Sequence, residues 1–172
     1  MDKLKILDCT LRDGGYYNNW DFEDTLYEQY LRCMERLPID IIEIGYRSLP
    51  KKEYLGKFFY CPEFLLIKAR ELAPSKKISI MLNERDNNPE QVVNLLGEVK
   101  SYIDIVRLAV DPKRLSSAIT LSQSIKALGY EVGFNLMYMS DIFKDIKSLR
   151  ELSVLNGIID SFCLVDSFGG VY

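Results

Sequence analysis

Leu7-Asp8-Cys9-Thr10-Leu11-Arg12-Asp13-Gly14-Gly15 is the stretch on which the reading of this chain turns. Ile6 and Leu7 open an apolar run, Asp8 and Thr10 then alternate with Cys9 and Leu11, and the polarity turns charged at Arg12 and Asp13. That pattern predicts a buried first strand that stops at two adjacent glycines, where the backbone turns sharply and a ligand can approach it closely. Arg12 carries a guanidinium fork suited to a carboxylate or an enolate oxygen, and Asp13 carries hard oxygen ligands for a divalent cation. Together they point to metal-assisted carbonyl chemistry. The plain alternative is a surface Arg-Asp pair at a strand-to-loop turn.

Outward from this stretch, apolar β-rich runs recur at Leu4–Leu7, Ile39–Ile44, Ile78–Leu82, Ile103–Val110, Val132–Met137 and Phe162–Val165. Between them lie segments of helical periodicity: Phe22–Leu37, Pro62–Leu72, Pro89–Ser101, Arg114–Leu128 and Ile142–Leu155. Asp21 reads as an N-cap before Phe22, Pro62 and Pro89 suit a first helical turn, and Gly129 and Gly157 suit helix C-termini. Strict β and α alternation with continuously apolar strands predicts a parallel sheet covered on both faces. Both a (β/α)8 TIM barrel and a doubly wound sheet meet that description.

Two features favour the barrel. No strand-to-helix turn carries a GxGxxG or GxxxxGK fingerprint. Polar residues also stand at nearly every strand's C-terminal end, where a barrel gathers them around one mouth: Arg12 and Asp13, Glu43, Asn83 and Glu84, Arg107, Asn135, Asp166 and Ser167. A full barrel needs about 250 residues. The expectation for 172 residues is therefore the N-terminal part of a single TIM-barrel catalytic domain, truncated after about the sixth strand. No internal repeat beyond the βα unit stands out. The longest irregular stretch, Arg47–Cys61, sets Lys51, Lys52 and Lys57 among Tyr54, Phe58, Phe59 and Tyr60. It reads as a solvated loop with an aromatic anchor, or as a substrate lid.

Composition narrows the function classes. The chain is 48% hydrophobic and 27% charged, with a net charge of -3 and a pI near 5.1. There is no basic field to attract nucleic acid or an anionic membrane, no long apolar span and no signal-peptide pattern, so a cytoplasmic protein acting on small molecules is expected. Cys9, Cys33, Cys61 and Cys163 lack CxxC spacing and are expected to be reduced. Histidine is absent, which removes serine triads, cysteine-histidine pairs and histidine-ligated metals from within the chain.

Asp8-x-Thr10-Leu11-Arg12-Asp13-Gly14 resembles the opening signature of the DRE-TIM metallolyases (HMG-CoA lyase-like), most closely the 4-hydroxy-2-oxovalerate aldolases among them. The resemblance implies a TIM barrel and a divalent-metal-dependent aldolase or lyase that cleaves or forms a carbon-carbon bond next to a 2-oxoacid, through a pyruvate enolate. It implies Mn or Mg, ahead of Zn, at Asp13, with Arg12 countering the enolate charge. Ile42-Glu43-Ile44-Gly45 resembles the second-strand motif, Val106-Arg107 the fourth-strand arginine, and Phe134-Asn135-Leu136-Met137 the fifth-strand asparagine. Leu164-Val165-Asp166-Ser167-Phe168-Gly169 resembles the sixth-strand motif, whose serine contacts the oxoacid. Glu43, Arg107, Asn135 and Ser167 are thereby implied as substrate-binding residues, although structural pairing of Glu43 with Arg47 or Arg107 fits it equally. Tyr16 stands where the pyruvate-forming aldolases carry a histidine base. The family's His-x-His metal ligands have no counterpart in this sequence. A homo-oligomer is expected. The alternatives are an acyl-CoA Claisen condensation of the isopropylmalate synthase type, or a non-catalytic relative that only binds a ligand or partner.

Overall fold

Asp8 turns the chain. Its Oδ1 accepts the Thr10 N–H at 3.0 Å and its Oδ2 accepts the Thr10 hydroxyl at 3.1 Å, a local side-chain turn that competes with continued strand. The first strand, β1 (Leu7–Asp8), therefore ends early, and a helix, α1 (Thr10–Asn18), begins at once. This corrects the expected strand, which was to carry Arg12 and Asp13 at its end and turn at the two glycines. Arg12, Asp13, Gly14 and Gly15 are all helical. Gly15 is required for packing instead: a Cβ there would stand 2.0 Å from Trp20 Cδ1. The helix closes through Asn19 and Trp20, both left-handed at φ 55 and 57.

The computed structural model describes residues 4–142 and 152–170. After α1 come α2 (Asp24–Arg36), β2 (Ile41–Tyr46), α3 (Lys57–Tyr60), α4 (Glu63–Leu72), β3 (Lys77–Asn83), α5 (Pro89–Gly97), β4 (Ile105–Val110), α6 (Leu115–Ala127), β5 (Glu131–Leu136), α7 (Met139–Ile142) and β6 (Ser161–Leu164). Six consecutive strands form one parallel sheet in the order β1-β2-β3-β4-β5-β6. A doubly wound sheet reverses its order at a switch point, whereas a barrel adds strands sequentially. The α/β fold thus fits a TIM barrel truncated after its sixth strand. Expected boundaries shift by a few residues, and the N-cap of α2 is Glu23, with no side-chain cap bond. Asp21 instead accepts the Tyr54 hydroxyl at 2.6 Å. Gly129 follows α6 at φ 85. The helix expected over Ile142–Leu155 falls mostly outside the described residues; Leu152–Leu155 forms a 3-10 turn.

A repeated fastening joins the strands in pairs. Asp40, Asp104 and Asp160 each precede an even-numbered strand, and each accepts the N–H at the start of the strand before it: Ile6 at 2.8 Å, Ile78 at 2.8 Å and Val132 at 2.7 Å. Each Asp N–H returns a bond to the carbonyl of the same residue, at 2.9 Å in all three cases. The sequence marks this device as Ile39-Asp40, Ile103-Asp104 and Ile159-Asp160. An internal repeat of two βα units is therefore present, contrary to the sequence expectation.

The chain divides into two compact units, Met1–Met81 with Glu98–Ile105, and Leu82–Gly97 with Val106–Tyr172. In the first, Leu31, Ile42, Ile44, Leu66, Ile78 and Ile80 are fully buried; in the second, Val92, Leu96, Val106, Leu108, Ile125 and Phe134 are. Within the first unit the 47–61 segment is anchored. Phe58 is fully buried, edge-on to Tyr27 and Phe22, and Lys57 pairs with Asp24 at 2.5 Å.

Candidate active site

Glu43 lies on β2 opposite Ser79 of β3 and is fully buried. A buried carboxylate must be paired to remain charged. Its Oε1 accepts Arg12 Nε at 2.8 Å, and its Oε2 accepts the Ser79 hydroxyl at 3.4 Å. Arg12, not considered among its partners from sequence, reaches it because α1 places the arginine one helical turn beyond β1. Burial works against the Arg12 charge, but Glu43 outweighs it and holds the guanidinium protonated above its ordinary range.

Register then brings a further residue to Arg12. Between Glu43 and Tyr46 the β2–β3 pairing slips: three steps along β2 match two along β3, from Ser79 to Met81. Residues three apart in a regular strand face opposite sides. The extra residue cancels that alternation, as a bulge does. Tyr46 accordingly joins the group around Arg12, which bears on its phenol. Burial first, and then the hydrogen bond with Tyr16, raise the Tyr46 phenol well above its ordinary range, with Arg12 acting in the opposite sense. The Tyr16 and Tyr46 hydroxyls are 2.9 Å apart. Trp20 backs them, edge-on to Tyr16 at 4.7 Å and to Tyr46 at 5.7 Å, while its indole N–H donates to the Arg12 carbonyl at 2.9 Å.

Asp13 stands on the exposed side of α1 and pairs with Arg12 through its Oδ1. Its Oδ2 accepts the Cys9 thiol at 3.0 Å. Burial, the bond to Asp13 and the Asp13 charge push the Cys9 thiol up to about 11. Asp8, the other acid of the motif, is structural: besides Thr10 it accepts the Tyr30 hydroxyl at 2.5 Å.

Arg12, Asp13, Tyr16 and Glu43 are thus assembled in the first unit, and Tyr46, Ser79 and Trp20 complete the group. Sequence reasoning missed these three. Arg107, Asn135 and Ser167 belong to the second unit. Asn135 is 5% exposed. The stem of Arg107 lies across Gly133, where a Cβ would stand 2.6 Å from Arg107 Cγ. Ser167 is exposed, and its hydroxyl accepts the Tyr138 N–H at 3.1 Å. Also in this unit, Glu84 is buried and receives both Arg114 Nε and Nη2, at 2.7 and 3.0 Å.

The donor set for a divalent ion is incomplete. Among the described residues no three His, Cys, Asp or Glu side chains are grouped to hold a metal. Within the group around Arg12, Asp13 alone offers an exposed carboxylate, already engaged by a guanidinium and a thiol, and one carboxylate does not satisfy the six or more oxygens of Mg- or Ca-like ions. The residues present do not by themselves fit the metal that the sequence resemblance implies. The four cysteines are free thiols, and among the described residues no helix is long and apolar enough to cross a membrane.

No protein family and no curated protein matches the chain. Solved structures do. The N-terminal domain of a "putative aldolase" from Bacteroides vulgatus is 49% identical with a TM-score of 0.94, over 98% of this chain and 56% of that one. The chain thus spans little more than half of that relative. A carboxyl transferase domain of Rhizobium etli pyruvate carboxylase, solved with pyruvate, superposes with a TM-score of 0.66 at 15% identity, over 100% of this chain and 32% of that one. At that identity it shows a shared fold alone.

Proposed function

We propose that this chain carries the enolate-stabilising part of a carbon-carbon lyase of the 4-hydroxy-2-oxovalerate aldolase type, acting on a small 2-oxoacid. One observation carries the reading: the buried Glu43 accepts Arg12 Nε, while the guanidinium also meets Asp13 and Tyr46. An arginine whose terminal nitrogens face an exposed carboxylate and a phenol, and are not both closed on one buried carboxylate, is suited to exchange partners for an oxyanion that develops during reaction. Tyr16, beside it, is the group proposed to hydrogen-bond the substrate oxygen that changes between hydroxyl and carbonyl. Arg107, Asn135 and Ser167 are proposed as further oxoacid contacts. Mn or Mg belongs to the reading with Asp13 as one ligand, and since the described residues leave the set incomplete, no step is assigned to it. A cytoplasmic homo-oligomer is part of the same reading.

A second reading is a relative that binds an oxoacid without turnover, which the incomplete ligand set favours. Pyruvate release from a 4-hydroxy-2-oxoacid, with Mn or Mg added, separates the two. The lyase reading expects turnover that falls by about 100-fold or more in Arg12→Ala, the scale of losing one oxyanion donor. Absence of turnover with either metal, together with retained oxalate binding, would establish the binding-only reading.

A further inference from the structure

Hydrogen-bond directions around Tyr46 follow from which groups can accept. A guanidinium has five N–H donors and no acceptor, so the Arg12 charge beside the Tyr46 phenol favours its oxygen as an acceptor towards Arg12. Tyr46 is 4% exposed, and a buried hydroxyl proton requires an acceptor. The Tyr16 oxygen, 2.9 Å away, supplies it. Tyr16 then accepts from Tyr46, and its own proton points outward from a side chain that is 64% exposed.

We propose that Arg12 and Tyr46 polarise and orient Tyr16 as a hydrogen-bond donor to the carbonyl oxygen of the aldehyde half of the substrate, with Tyr46 as the positioning residue. This rests on the lyase reading for the substrate and on geometry for the direction of the bonds. It gives Tyr16 a different duty from the base that its place in the sequence implies. A phenol that receives a hydrogen bond on its oxygen is a stronger donor through its own proton, because successive bonds polarise one another. Burial keeps Tyr46 neutral and therefore able to donate. The ring is held by contacts that survive loss of the hydroxyl: Tyr46 packs tilted on Phe59 at 5.4 Å and edge-on to Trp20 at 5.7 Å.

The test is Tyr46→Phe, which removes one oxygen and keeps that packing, read beside Tyr16→Phe at an exposed position where folding is not at risk. Two readouts are needed. With 3-fluorotyrosine placed at position 16, the fluorine resonance of the parent protein should be shifted and broadened relative to the free amino acid, and Tyr46→Phe should return it towards the free value. In turnover, Tyr46→Phe should lower kcat by about tenfold with KM kept, as should Tyr16→Phe, and the double variant should lose no more than either single one. An unchanged fluorine signal overturns the proposal. So does a moved signal with parental kcat, which would make Tyr46 a packing residue only. If no form turns over a 4-hydroxy-2-oxoacid, the lyase reading and with it the substrate half of the proposal fail, while the fluorine signal alone decides the bond from Tyr46 to Tyr16.

Discussion

Each compact unit contains a buried glutamate held by an arginine, and the two pairs are built differently. In the second unit Arg114 closes both of its fork nitrogens on Glu84, and the arginine side chain remains 47% exposed. In the first, Arg12 is 14% exposed and gives Glu43 its Nε, while Ser79 donates to the second carboxylate oxygen and Asp13 and Tyr46 lie against the guanidinium. A closed fork satisfies its carboxylate and leaves little for a ligand. An arginine gripped at Nε and surrounded by a phenol and a second carboxylate is poised to exchange partners. The difference separates a structural pair from a candidate catalytic one more sharply than the identity of the residues does.

The largest effect should come from breaking the buried pairs. Glu43→Ala leaves Arg12 without its main counter-charge and should cost about 3–5 kcal/mol in urea unfolding. Glu84→Ala should cost less, because Arg114 can turn to water. Equal losses would remove the distinction between the pairs.

A smaller effect should arise in the helix that presents Arg12. Gly15→Ala drives a methyl into the Trp20 ring and should cost about 1–3 kcal/mol, with a change in the emission of this single tryptophan. Gly14→Ala meets only the Phe22 ring, Cζ at 3.6 Å and Cε1 at 4.0 Å, so relief of glycine's chain entropy should stabilise by about 0.5–1 kcal/mol. A loss at both positions would mean that α1 needs its glycines for a reason other than the packing of Trp20.

The smallest effect concerns Cys9, whose thiol rises from its ordinary 9.0 to about 11. A raised acid of this kind stabilises the fold fully below pH 9, and that contribution is lost as pH rises through 11. Stability should therefore decline between these values, and Cys9→Ala should flatten that part of the decline. A decline as steep in Cys9→Ala would assign it to other groups, the buried phenols first.

Much of the framework was legible. Alternating apolar runs and helical segments gave the six strands, and the Asp8-to-Gly14 signature together with Glu43 marked the residues that the first unit assembles. The Ile-Asp pairs before even strands were also in plain sight, and were missed because their spacing spans two βα units. Tyr46 was not legible: its place three residues beyond Glu43 argues for the opposite face, and only the slip against β3 cancels that.

By itself, the sequence determined which segments are apolar enough to be central strands, that these 172 residues include no histidine, and that an arginine and two acids stand where the first strand ends. Those are properties of composition and local periodicity. Tertiary structure decided that Glu43 is the partner of Arg12 and that Tyr46 reaches the same group. Each depends on a register or a close approach between segments distant in the chain, and neither is encoded in the period of any one segment.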